Sequence, residues 1–175
     1  ASGGSVRRLT THLSADTSPT WSPDGTRLAF GSDRAQSGVP DIYIMDANQE
    51  IIRLTEDPSG ATQPAWSPDG NWIAYVSLRD GNANIYRREV TSDRIDRLTE
   101  HPGEDTDPSW SPDGNWIAFT SDRDGNPEIY LLDLLALAPF RVTTDDEPDY
   151  YPVWQYPADY AHSVEIPSCT VIAAR

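Results

Sequence analysis

The sequence predicts an all-β fold assembled from four-stranded units that repeat about every 44 residues, and three observations carry that reading. One phrase recurs, as Trp21-Ser22-Pro23-Asp24-Gly25, Trp66-Ser67-Pro68-Asp69-Gly70 and Trp110-Ser111-Pro112-Asp113-Gly114, and Trp154 continues the series at steps of 45, 44 and 44. A second phrase keeps the same beat: Arg8-Leu9-Thr10, Arg53-Leu54-Thr55, Arg97-Leu98-Thr99 and Arg141-Val142-Thr143. Finally, short apolar runs alternate with Pro and Gly turn signals about every 8–12 residues, the spacing of short strands and not of paired helices.

Each repeat reads as four strands in order. A short first strand ends at Ser-Pro-Asp-Gly, where Pro presets φ and Gly accepts a positive φ. The second strand, Trp72 to Ser77 in the middle repeat, alternates large side chains to both faces, as a strand buried between neighbouring sheets requires. Asp80-Gly81 and Asp124-Gly125 then mark hairpins. The third strand carries Ile42-Tyr43, Ile85-Tyr86 or Ile129-Tyr130, and the fourth ends in Arg-Leu-Thr. The stretch Leu131 to Leu137 has a helical look but sits at strand three and its following turn, so it is read as strand.

Four antiparallel strands per unit, repeated at this period, make a β-propeller blade. At Pro64-Ala65-Trp66-Ser67-Pro68-Asp69-Gly70, Ile117-Ala118-Phe119-Thr120-Ser121-Asp122-Arg123-Asp124-Gly125, Ile129-Tyr130 and Arg97-Leu98-Thr99 the chain resembles the TolB-type, WD40-like propeller repeats. The likeness runs from about residue 6 to 154 and departs at Ala35–Pro40, which lengthens a loop, and at Gln155–Asp159, which replaces Ser-Pro-Asp-Gly. The resemblance implies a bacterial, extracytoplasmic setting (periplasm, cell surface or secreted), a non-enzymatic role, and a larger blade number than this chain supplies.

The expected organisation is a single domain over 1–175, with blades at about 11–55, 56–99 and 100–143. A fourth blade over 144–175 is completed by residues 1–10. There Tyr160 to Glu165 stands where strand two belongs, Thr170 to Ala174 where strand three belongs, and Val6–Thr10 supplies strand four. Closure within one chain, membership of a larger propeller, and donation of the terminal strand to a neighbouring chain all fit this pattern, so a structural subunit of an extracellular assembly is the alternative function.

Acids outnumber bases 28 to 13, a net charge of −15. That balance opposes nucleic acid and anionic lipid and favours a basic protein or peptide. No run is long enough to cross a bilayer, and every base is Arg, for which the sequence alone gives no reason. Cys169 has no partner for an internal disulfide.

The Trp series and the repeated Arg and Asp residues are expected to be structural, because a unique site should break the repeat. His12 and His101 share one repeat position and suit a loop role, while His162 stands alone. No nucleophile motif and no His cluster is present, so no catalytic residue is assigned. Asp122, Asp124 and Glu128 resemble part of a calcium loop without its full ligand layout, against a plain hairpin turn as the competing reading. No other cofactor is expected.

Acid is concentrated in the connections from strand four to the next strand one. Asp16, Glu56, Asp57, Glu100, Glu104, Asp105, Asp107, Asp145, Asp146, Glu147 and Asp149 place eleven of the 28 acids on one rim. The partner-facing residues expected there are Glu100, His101, Glu104, Asp105, Asp107, Asp145, Asp146 and Asp149. They form a surface for a basic segment or cations.

Overall fold

The computed structural model describes residues 6–144, 146–155 and 170–174, the last as backbone. Three four-stranded antiparallel sheets follow one another: β1 (Asp16–Trp21) to β4 (Ile51–Arg53), β5 (Ala61–Trp66) to β8 (Ile95–Arg97), and β9 (Asp105–Trp110) to β12 (Ala138–Arg141). Within these lie β2 (Leu28–Ser32), β3 (Asp41–Met45), β6 (Trp72–Ser77), β7 (Asn84–Glu89), β10 (Trp116–Ser121) and β11 (Glu128–Asp133). A two-stranded sheet pairs β13 (Tyr150–Gln155) with β14 (Thr170–Ala174).

The sheets stack face to face as blades. β5 packs against β1, β2 and β3, and β9 against β5, β6 and β7; β13 repeats the pattern on the third sheet. Alternation along β2, β6 and β10 sends successive side chains into different seams. Ala29, Ile42, Ile44 and Leu54 meet Trp66, Ile73 and Tyr75 in one seam, while Val76, Ile85 and Leu98 meet Ile117, Phe119 and Leu132 in the next. The Leu of Arg-Leu-Thr is therefore a wedge between blades. Its equivalents Leu9 and Val142, at the ends of the series, are exposed.

The Ser-Pro-Asp-Gly turns have one chemistry. The buried Ser22 hydroxyl donates to Asp24 (2.6 Å) and accepts the Arg27 N–H (2.9 Å), closing the turn onto strand two; Ser67 and Ser111 do the same for Trp72 and Trp116. The Ser22 hydroxyl and the Thr26 N–H hold the Asp24 carboxyl at about 2. Gly70 and Gly114 have φ of 70° and 74°, and a Cβ on either would stand 3.3–3.4 Å from the proline ring of the preceding blade's turn. Backbone conformation and blade spacing thus both require Gly there.

The other end of each blade is held by an Arg clamp. Arg34, Arg79 and Arg123 each hydrogen-bond the Ser two residues earlier and lie 4.6–4.8 Å from a Tyr ring of strand three. They pair with Asp16 (2.9 Å), Asp57 (2.7 Å) and Asp105 (2.8 Å). The acid sits at the start of strand one in the first and third blades. In the second blade Ala61 occupies that position, and Asp57, four residues earlier, takes over the pairing.

The fourth blade differs from expectation. β14 pairs directly with β13, with Trp154 opposite Val171, the register that sets Trp110 opposite Ile117. Thr170–Ala174 thus fills the strand-two position, not strand three. Counting the repeat through a segment that lacks the Ser-Pro-Asp-Gly turn misplaced it. Residues 6–10 form no strand, and Arg8 folds back onto the Thr10 carbonyl. A fourth strand needs a third to pair with, and the described residues supply none in that sheet. Tyr160 to Glu165 lie outside the described residues.

Breaking a buried ion pair by removing one partner costs about 3–5 kcal/mol. Asp57→Ser is therefore expected to destabilise the domain by about 3 kcal/mol in urea unfolding, and adding Ala61→Asp to recover most of that loss. No recovery would show that the clamp does not transfer between these two positions.

Candidate interaction site at the inner strands

β1, β5, β9 and β13 line one opening of about 580 Å³. Each carries the pattern x-Pro-x-Trp, with Ser18, Gln63, Asp107 and Tyr151 at the first position. These four residues have φ of 50–54°, and the strand register shifts at the same place in all four sheets. The bulge is what admits Pro in the middle of a strand, since Pro has no N–H for the ladder. The backbone repeats faithfully here while the side chain changes in every blade, and left-handed residues of this kind collect at functional sites.

Neighbouring bulges interact. The Gln63 amide donates to the Asp107 carboxylate (2.5 Å) and accepts the Asp107 N–H (3.0 Å). Burial raises the Asp107 carboxyl above the ordinary carboxylate value, and hydrogen bonds, Gln63's among them, only partly oppose it. Above this layer the Trp side chains bridge blades. Trp110 Nε1 donates to the Ala65 carbonyl (3.1 Å) and Trp154 Nε1 to the Ser109 carbonyl (3.0 Å). Trp66 is buried under Arg27 with its Nε1 unpaired. Trp21, which reaches over no earlier inner strand among the described residues, is 59% exposed.

The expected rim residues separate into two kinds. Glu100, Glu104 and Asp146 are exposed, and His101 is half-buried with its Nδ1 accepting the Gly103 N–H. Glu104 also accepts the Ala83 N–H (2.7 Å). Asp107 lies in the opening itself.

Asp105 and Asp149 do not face a partner. Both are buried, because strand one begins beneath the preceding blade, where their N–H groups donate to the Ala83 and Pro127 carbonyls. Asp105 is consumed by Arg123. Asp145 and His162 lie outside the described residues.

The calcium-loop residues do not converge. Asp122 accepts the Glu104 N–H, Asp124 accepts the Tyr130 hydroxyl, and Glu128 is fully buried against Arg141 and Thr143. No group of three or more acid, His or Cys ligands that could hold a metal forms among the described residues. The bulge ring escaped the sequence reading, although Pro inside each inner strand was the available signal.

The chain matches the family model described as the TolB beta propeller domain over residues 35–99 and 55–164. Putative TolB from Agrobacterium tumefaciens is similar at 29% identity and a TM-score of 0.73, over 81% of this chain and 52% of that one. TolB from Acinetobacter baumannii is similar at 25% identity and a TM-score of 0.77, over 94% and 44%. The chain therefore spans about half the length of these relatives. A puromycin-hydrolysing peptidase from Mycobacterium tuberculosis, at 16% identity and a TM-score of 0.68 over 83% and 24% of the two chains, shares the fold.

A carboxyl whose pKa is raised by folding holds its proton more tightly in the native state. Stability therefore falls as pH rises from 3.8 through the elevated native value, and the penalty is fully present above it. Asp107→Asn removes that penalty. The variant is expected to unfold at higher urea than the parent at pH 7 and to match it below pH 3.8. Equal midpoints at both pH values would contradict the assignment.

Proposed function

Because the chain belongs to the TolB β-propeller domain family, we propose that it is a non-enzymatic interaction module whose acidic mouth receives a basic segment of another protein. The mouth is the end where strand one begins, together with the hairpins between strands two and three. The observation that carries the reading is an imbalance of available charge. Arg34, Arg53, Arg79, Arg97, Arg123 and Arg141 at this end are each paired with a carboxylate, and the exposed Arg8 hydrogen-bonds the Thr10 and His12 carbonyls. Glu56, Glu104, Asp122 and Asp146 are exposed on the same face, as is Glu100, which lies 3.7 Å from the already paired Arg97. A concave opening behind a rim of one charge focuses the field and raises the encounter rate of an oppositely charged partner.

The bulge residues give the mouth its chemical variety. Asp107 offers a partly desolvated carboxylate, Gln63 an amide, Ser18 a hydroxyl and Tyr151 an exposed aromatic ring. This combination suits a Lys or Arg side chain inserted past the rim. By family resemblance, the module works outside the bacterial cytoplasm.

A labelled Lys-rich peptide serves as the probe. Glu100→Lys combined with Asp146→Lys is expected to weaken its binding about tenfold or more at low salt, and parent binding should decline as salt is added. Asp105→Asn should lower stability and leave affinity in place, since that carboxylate is spent on Arg123. Unchanged affinity after the double reversal would refute the acidic mouth.

A further inference from the structure

The third blade departs from the repeat at the end opposite the mouth. In the second blade the turn before the outer strand is Thr91-Ser92-Asp93-Arg94, and the strand that follows carries Asp96. There Arg87 and Arg94 cover the Trp72 ring at 4.4 and 5.0 Å, and both are tied to Asp96. The same positions in the third blade read Leu135-Ala136-Leu137-Ala138, and Phe140 replaces Asp96. Every charged group in the set has become apolar.

The replacement is displayed on an ordered turn. Leu134 N donates to the Asn115 carbonyl (3.0 Å), as Val90 does to Asn71 in the second blade, and Leu134 packs into the core. Asp133 accepts the Leu135 and Ala136 N–H groups (2.8 and 3.2 Å), and its carbonyl accepts the Leu137 N–H (2.8 Å). That turn holds Leu135 at 96% exposure, with Leu137 and Phe140 about half exposed beside it. Phe140 stands edge-on to Trp116 at 5.8 Å, and an open groove of about 510 Å³ runs past Trp116, Asp133, Leu134 and Leu135.

We infer that Leu135, Leu137 and Phe140, with this groove, form a second docking point, for a short amphipathic helix with basic flanks from another protein. Three observations select that occupant. Pro139 lies within β12 and has no N–H to donate along the open edge, so recognition must read side chains and not extend the sheet. Three side chains of this size offer a few hundred Å², short of the roughly 800 Å² per partner of a stable dimer. A net charge of −15 repels a second copy and attracts a cationic segment; in the groove wall Asp133 is accompanied by Arg87, whose charge is already paired with Asp96. The site shares no residue with the mouth.

The test uses a fluorescein-labelled helical peptide with Leu on one face and Lys on the other, followed by anisotropy on the whole chain. Leu135→Ser with Leu137→Asn is expected to weaken binding about tenfold or more, since each buried Leu is worth about a factor of ten. Asn is at ease at the Leu137 φ of 52°, so urea unfolding should be unchanged. Should the double variant nevertheless lose stability, Leu135→Ser alone reads the same loss of affinity. Asp146→Lys alone, a mouth change away from the cleft that Glu100 shares with Leu137, should leave the groove's affinity within about twofold in moderate salt. Several results would overturn the assignment: unchanged affinity in the Leu variants, equal binding of a sequence-scrambled peptide, or loss confined to the mouth variant. A dimer seen by light scattering that Leu135→Ser dissolves would also overturn it, by giving the surface to a second copy.

Discussion

A carboxylate stripped of water needs a counter-charge or strong donors, and the mouth end of each complete blade is arranged around that need. Asp41, Asp57, Asp105 and Glu128 are buried there, and each meets a guanidinium. Asp41 shows how much one such group organises: it pairs with Arg53, accepts the Thr55 hydroxyl, and accepts the Asp57 N–H that starts the next connection. Thr55 in turn accepts the Ile42 N–H, and Thr99 and Thr143 repeat that bond. The clamp fixes where a blade ends and where the next begins, and the inner strands take their position from it.

The absence of Lys acquires a physical reason at these positions. Arg79 and Arg123 each present a flat guanidinium to a Tyr ring while hydrogen-bonding a Ser hydroxyl and a carboxylate at the same time. An ammonium is a point charge without that planar fork. Spending the Arg residues inward also sets the surface. Glu56, Glu104, Asp122 and Asp146 stay exposed while the Arg residues of that end turn to buried carboxylates, and the acidic face follows from the packing chemistry.

Much of this was legible in the chain. The Ser-Pro-Asp-Gly turns, the Asp-Gly hairpins and the Arg-Leu-Thr ends locate the strands of three blades, because each phrase is a local geometric demand. Which acids face outward was less legible. Asp105 and Asp146 look alike in composition, and it is the place of Asp105 at the start of strand one, with Arg123 eighteen residues on as its partner, that withdraws it from the surface. Asp16 and Arg34 share that separation, which is the signal a reader of the sequence could have used. The repeat beat does not locate the last sheet's second strand, because the stretch after Trp154 has no turn phrase to anchor it. The apolar turn at Leu134–Leu137 departs from the polar turn Thr91–Arg94 of its sister blade, a difference that aligning the repeats position by position makes visible.

The guanidinium clamp is tested most directly by urea unfolding of Arg123→Lys, a change that keeps the charge and much of the bulk. The clamp predicts a loss of about 2 kcal/mol, from the forfeited stacking on Phe119 and Tyr130 and the loss of a hydrogen bond to Asp105 or Ser121. An unfolding midpoint equal to the parent's would show that charge alone suffices there, and would contradict the account of how the blades are joined.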